Sequence, residues 1–298
     1  HASHDASGTP TPSADPRSAK ERRPAYAPAE DPLTKSIAVV CIGLGAGLIG
    51  GMTGLGGSII MLPGLAIVVG FASETRIEQH MYIAAALCVN FLVAVPATWR
   101  HSKAGTVRRA VVIRLLPPAG IAMVLGVLLS NRVDPTLLIK LLAIMIVVFV
   151  IVGELGSKLA KPDESVSDDA IAKKRAYVLA GTGAFTGTLA GLLGIGGGVI
   201  MVATLRAVAR MRVRAAIAAS SATMCLMAPI GATLKLATLH THDLPWVQAL
   251  KLAGLMGPAA VIGSLIGSSL VHKFPRLIVK IVVDSVLLLA AARLGGLI

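Results

Sequence analysis

Charge is scarce in this sequence. Asp, Glu, Lys and Arg together make 14% of its 298 residues, whereas a soluble domain carries about 25% to keep its surface in water. Aromatic residues are scarcer still at 3%, so there is no strong Trp/Tyr belt. Trp99 and Trp246 do sit at the ends of apolar runs, where such rings lie in membrane proteins. The cysteines are Cys41, Cys88 and Cys225. An odd number without CxxC spacing argues against a disulfide framework or zinc site and fits small buried hydrophobes. Catalytic signatures are missing too. There is no HExxH, no pair of aspartates within the apolar runs, and no convincing Ser–Lys or Ser–His arrangement, which argues against a membrane enzyme. No Walker motif is present, so this chain does not use ATP directly, and no cofactor is implied.

What the chain has is hydrocarbon. Hydrophobic residues make 55% of it and mean hydropathy is +0.78. They form runs near the ~18 residues needed to cross about 30 Å of lipid. Such runs fill Met81–Thr98, Val133–Gly153, Ala176–Leu205, Ala215–Leu234 and Trp246–Val271. Ile37–Phe71, Ala110–Ser130 and Leu277–Ile298 complete the set, with Arg114 or Asp284 inside. The fold class expected is an all-α polytopic transmembrane bundle, with the lipid bilayer as its main partner. The net charge of +13 does not point to nucleic acid. The basic residues cluster between the runs, where they hold topology and meet anionic headgroups.

Residues 1–35 differ from the rest. They are rich in Pro, Ala, Ser and charges of both signs, a composition expected to be disordered. His1, His4 and Asp5 read as part of that tail rather than as a metal site. The first apolar run is too long for a cleavable signal peptide and ends in no convincing cleavage site.

The most informative feature is an internal repeat. Gly47, Gly51, Gly54, Gly56, Gly57 and Met61 recur 140 positions later as Gly187, Gly191, Gly194, Gly196, Gly197 and Met201. Asp134-Pro135 and Lys140 pair with Phe274-Pro275 and Lys280 at the same offset. Two transmembrane repeats follow, 36–156 and 176–298, joined by the polar linker 157–175. Each holds one Gly-broken first segment and three clear spans. That gives about eight crossings if the Gly segments span once. This count puts the basic stretch 100–109 and the linker on one side but leaves Arg206, Arg210, Arg212 and Arg214 on the other, against the positive-inside tendency. A re-entrant second Gly segment moves that cluster back.

Glycine costs about 1 kcal/mol relative to Ala in a helix and accepts backbone angles that others cannot. The compact clusters Gly54-Leu-Gly56-Gly57-Ser58 and Gly194-Ile-Gly196-Gly197-Gly198 therefore predict helix breaks. A broken helix within a bilayer survives only where protein or a watery cavity satisfies its backbone. The N-terminus after the break offers free N–H groups and a partial positive charge, suited to a small anion. Upstream glycines at four-residue spacing, Gly43/Gly47/Gly51 and Gly187/Gly191, read instead as close helix packing.

The paired Gly-X-X-X-Gly-X-X-Gly-X-Gly-Gly segments resemble those of the TauE/SafE family, the sulfite/organosulfonate exporters. The resemblance covers about residues 36–298. The stretch Arg100-His-Ser-Lys-Ala-Gly105-Thr-Val107 resembles that family's short basic hairpin, and Ala219-Ser220-Ser221 lies where members carry a hydroxyl pair. The resemblance implies a secondary transporter of a small anion, a sulfur oxyanion or organosulfonate, in the bacterial inner membrane. A proton or sodium coupling ion and a homo-oligomer are left open. An anion channel, a membrane enzyme or a structural membrane subunit is the alternative.

The candidate substrate-binding residues are Gly54, Gly56, Gly57, Ser58, Asn90, Gly194, Gly196, Gly197, Gly198, Ser220, Ser221 and Thr223. Asn90 and the three hydroxyls of the second half are equally readable as interhelical hydrogen bonds. Pro96 and Pro229 sit late in corresponding spans. Lys235 and Arg114 lie near run ends, where long side chains snorkel to water. His240, His242 and Asp243 read as a surface loop, and Asp284 is the deepest acid.

Overall fold

A computed structural model describes residues 32–53, 56–159 and 175–270, apart from the side chains at 32, 152–159 and 199, and five positions near the end. Gly54, Asp284, Lys280, almost all of the tail and linker, and most of the last apolar run lie outside these residues. The described residues form helices: α1 Pro32–Thr53, α2 Ser58–Val68, α3 Gln79–Lys103, α4 Arg109–Ser130 and α5 Pro135–Leu159, then α6 Ala176–Leu193, α7 Gly198–Ala207, α8 Val213–Thr238 and α9 Trp246–Leu270. A single 3-10 turn, Leu239–His242, joins the last two. Among the described residues six helices (α1, α3, α4, α6, α8, α9) are long and apolar enough to cross a membrane; Ser58–Val68 in α2 and Pro135–Ile151 in α5 are shorter apolar helices.

Local chemistry sets several boundaries. Asp134 Oδ1 accepts the N–H groups of Thr136 at 2.8 Å and Leu137 at 3.3 Å. With Pro135 as the first helical residue, this is a strong start signal for α5. Before α3, Ser73 donates its N–H and hydroxyl to the Glu78 carboxylate at 3.0 and 2.8 Å. That loop ties the return from α2 to the start of α3.

Glycine decides the packing. A Cβ placed on Gly43, Gly47 or Gly51 of α1 would lie 2.6, 2.0 or 2.4 Å from the backbone oxygens of Met256, Ala260 or Ser264 on α9. The positions rise together, so α1 and α9 run parallel with their backbones touching. Gly183, Gly187 and Gly191 of α6 meet Leu115, Ala119 and Met123 of α4 in the same way, at 2.5, 2.2 and 2.3 Å. The first helix of each sequence repeat thus packs on a helix of the other, as the upstream glycines predicted. Small residues suit such contacts because apolar lipid supplies little hydrophobic drive between helices.

At the centre lie α3 and α8, with 67% and 72% of their most apolar stretch buried, against 39–44% in the other four long helices. They run antiparallel: His80 near the start of α3 meets Lys235 near the end of α8. Ser264 Oγ of α9 donates to Val93 O of α3 at 3.0 Å. Outward faces are apolar, with Ile113, Ile121, Leu125, Ile144 and Ile262 more than half exposed. Such a surface suits lipid. Cys41 is exposed there, and Cys88 and Cys225 are half-buried, so burial is incomplete for all three.

The short helices double back. Gly57 opens α2 beside Ala46, and Gly64 lies against Ile42, so α2 descends along the helix that preceded it. The Tyr82 hydroxyl then donates to Gly70 O, bringing the start of α3 to the same end. On the other side, Arg175 before α6 donates to Val208 O after α7 at 2.7 Å. Both Gly segments are therefore hairpins. Because α1 is parallel to α9 and α6 to α4, the two hairpins enter the bundle from opposite ends.

Candidate functional site

The tips of the hairpins meet between α3 and α8. In the first, α1 stops at Thr53 and α2 starts at Ser58, with Gly57 as N-cap. In the second, α6 ends on Gly194 in the left-handed region, φ 73°, and α7 starts after Gly197, φ 72°. Gly196 lies in the same region at φ 71°. An L side chain there costs about 1–2 kcal/mol, so glycine makes the second turn possible.

Asn90 of α3 connects the two breaks. Its Oδ1 accepts the Ser58 N–H, the first backbone donor of α2, at 3.2 Å, and its Nδ2 donates to Gly194 O at 3.5 Å. Met224 of α8, almost wholly buried, faces it. A Cβ on Gly56 would lie 2.9 Å from Met224 Cε and 3.2 Å from Asn90 Oδ1. One on Gly196 would lie 2.6 Å from Asn90 Nδ2 and 3.0 Å from Met224 Sδ. A carboxamide and a thioether thus stand where the glycines leave room.

Two hydroxyls complete the picture. Ser58 is fully buried, and its Oγ has no hydrogen-bond partner among the described residues. A buried hydroxyl without a partner costs about 1–3 kcal/mol. Ser220 donates to Gly198 O at 3.2 Å, tying α8 to the start of α7. Thr223 instead bonds Ala219 O of its own helix at 2.8 Å. Ser221 is buried on α8.

The structure therefore brings Gly56, Gly57, Ser58, Asn90, Gly194, Gly196, Gly197, Gly198 and Ser220 together. Thr223 and Ser221 flank them on α8. Gly54 lies outside the described residues. Sequence reasoning missed Met224, because one methionine in an apolar run carries no signal without the partner it faces.

Lys235 overturns its expectation. It does not snorkel but is fully buried, with Nζ 3.0 Å from His80 Nδ1, 2.7 Å from Ser130 Oγ and 2.6 Å from Asn131 Oδ1. The end of α8 lies against α3 and α4 instead of facing water. His240 and Asp243 are exposed as expected of a loop, whereas His242 stacks on His80 with ring centroids 4.0 Å apart.

Residues 39–294 match the family described as sulfite exporter TauE/SafE. The chain belongs to that family. With its apolar helices, this indicates a multi-pass membrane protein. Among curated relatives, the probable membrane transporter protein MamO of Paramagnetospirillum magneticum is 26% identical over 82% of this chain and 42% of its own length. MamO of Magnetospirillum gryphiswaldense is 24% identical over 80% and 41%. The chain spans about two fifths of those two proteins. The probable membrane transporter protein MJ0441 of Methanocaldococcus jannaschii is 24% identical over 84% of this chain and 91% of its own. No solved structure matches.

Proposed function

We propose that this chain is a secondary transporter of a small anion, a sulfur oxyanion or organosulfonate such as sulfite, in the bacterial inner membrane. The anion binds where the two Gly-rich breaks meet, and alternating access comes from rocking of the two halves. The observation that carries this reading is the meeting of the two Gly-rich breaks at Asn90, which accepts the first N–H of α2 and donates to the carbonyl of Gly194 that ends α6, with Gly196 of the turn before α7 against its carboxamide. Helix N-termini present N–H groups and partial positive charge to an anion. Opposed half-helices near mid-depth are a recurring way for repeat-built transporters to hold a charged cargo. The unpartnered Ser58 hydroxyl adds a donor that a bound oxyanion satisfies.

In this reading each Gly segment is re-entrant and the halves form an inverted-topology pair. The stretch 100–109, Arg175 and the cluster Arg206–Arg214 then share one face. The Arg175–Val208 bond supports that grouping, and the positive-inside tendency makes this face cytoplasmic. It removes the conflict created by eight full spans. The family and the names of the relatives support the coarser reading of a membrane transporter.

The test is flux in proteoliposomes holding the purified chain, offered sulfite, thiosulfate, sulfonates and small carboxylates. Saturable uptake of one of them, with exchange against internal anion, is expected. Absence of flux for the whole set rejects the reading. Flux without saturation replaces it with a channel.

A further inference from the structure

Among the described residues no lysine or arginine other than Lys235 is fully buried. Its ammonium spends all three donors on neutral acceptors, His80 Nδ1, Ser130 Oγ and Asn131 Oδ1. The titratable groups facing it are His80 from α3 and His242 from the 3-10 turn, while α4 and the turn after it contribute Ser130 and Asn131, which do not titrate. No carboxylate among the described residues is bonded to it. An ammonium inside a spanning helix without a counter-ion is costly, and ionisable groups kept there mark ion or proton pathways.

We propose that Lys235 and His80 form the proton site through which this protein couples anion movement to a proton gradient, an inference that rests on the transport reading above. Two bases 3.0 Å apart share one bond, which needs a hydrogen on one nitrogen and a lone pair on the other. The pair therefore holds one exchangeable proton between them, because like charges at that distance oppose double protonation. When Nζ releases its proton to water, the amine left behind keeps two N–H donors and gains a lone pair. One of its three bonds must then break, or reverse with His80 donating from Nδ1. Every one of those bonds joins Lys235 of the second half to residues of the first half. Proton release therefore breaks or reverses one of the bonds that join the halves at this end of the bundle.

A partly exposed side chain lies beside the pair. The half-exposed His242 stacks on His80, its ring tilted by only 10°. Its Nε2 and the Oε1 of the buried Gln79 lack hydrogen-bond partners among the described residues. This end holds the start of α3 and the end of α8, opposite Arg100, which bonds Ser269 at the far end of α3. The proton is thus taken from the side facing away from the basic connections.

The experiment uses the full chain in liposomes loaded with a pH dye. Exchange of labelled sulfite, thiosulfate and isethionate is measured at equal pH, and net accumulation and proton entry under an imposed pH gradient. Isethionate is fully ionised and carries no proton by itself. The wild-type chain is expected to accumulate the anion it exchanges, with proton entry. Lys235→Arg keeps a cation that does not release its proton, and His80→Gln keeps an acceptor that does not titrate. In each, the ratio of protons to anions is expected to fall about tenfold or more, with exchange still measurable. A variant that loses its monodisperse elution is set aside and the other decides. Wild-type ratios in the folded variants overturn the proposal, as does wild-type exchange without proton movement; in both cases the transport reading stands. No exchange of any anion overturns the transport reading and this inference together.

Discussion

Asn90 and Ser58 lie 32 residues apart, yet the carboxamide of one accepts the first backbone N–H of the helix begun by the other. The same carboxamide reaches Gly194, 104 residues away. One side chain thus holds both helix breaks, accepting the Ser58 N–H that an anion would take in its place and donating to the carbonyl of Gly194. Asn90→Leu keeps the volume but leaves Ser58 N–H and Gly194 O without their partner. A loss of about 1–3 kcal/mol in stability is expected, read as a lower midpoint in thermal unfolding. Anion flux should fall by more than that loss explains.

Ser58→Ala separates stability from binding. Its hydroxyl is buried without a partner, so removal relieves a cost instead of breaking a bond. The variant should be as stable as the wild type or up to about 1 kcal/mol more stable, while the anion's half-saturation rises several-fold. Equal loss of both would mean that Ser58 is a packing residue.

Gly196→Ala meets two penalties. Its φ is 71°, and the new methyl would lie 2.6 Å from Asn90 Nδ2. Destabilisation of about 2–4 kcal/mol follows from the backbone cost and the overlap together. Gly181→Ala is the control: nothing lies within 4 Å of its Cβ, and alanine favours a helix by about 1 kcal/mol. The pair compared by thermal unfolding should shift in opposite directions.

Gly47→Val and Gly187→Val probe the helix contacts. Added Cβ atoms would sit 2.0 Å from Ala260 O and 2.2 Å from Ala119 O, and neither backbone can yield as a side chain tip can. Overpacking costs about 1–3 kcal/mol or more for each. Monodisperse yield in detergent should drop for both, and by similar amounts.

Single cysteines at Gly105 and Arg210, in a background with Cys41, Cys88 and Cys225 replaced, test the re-entrant arrangement. Both should react with an impermeant thiol reagent from one side of the membrane only, and a cysteine at Asp134 from the other. Labelling of Gly105 and Arg210 from opposite faces would restore eight full spans.

The sequence by itself settled the solvent of this protein, because apolar runs of bilayer length need no partner to be recognised. It also located the packing glycines, since glycine's missing Cβ acts locally. Tertiary structure decided the rest. Whether a Gly segment spans or turns back depends on what receives the second arm, and Gly57 beside Ala46 shows that only in three dimensions. Met224 was missed and Lys235 misjudged for a related reason. Their surroundings come from helices distant in the chain: Asn90 and the glycines for one, and His80, Ser130 and Asn131 for the other. Position in an apolar run fixes depth in the membrane, whereas the neighbours that give a side chain its chemistry are set by how the helices pack.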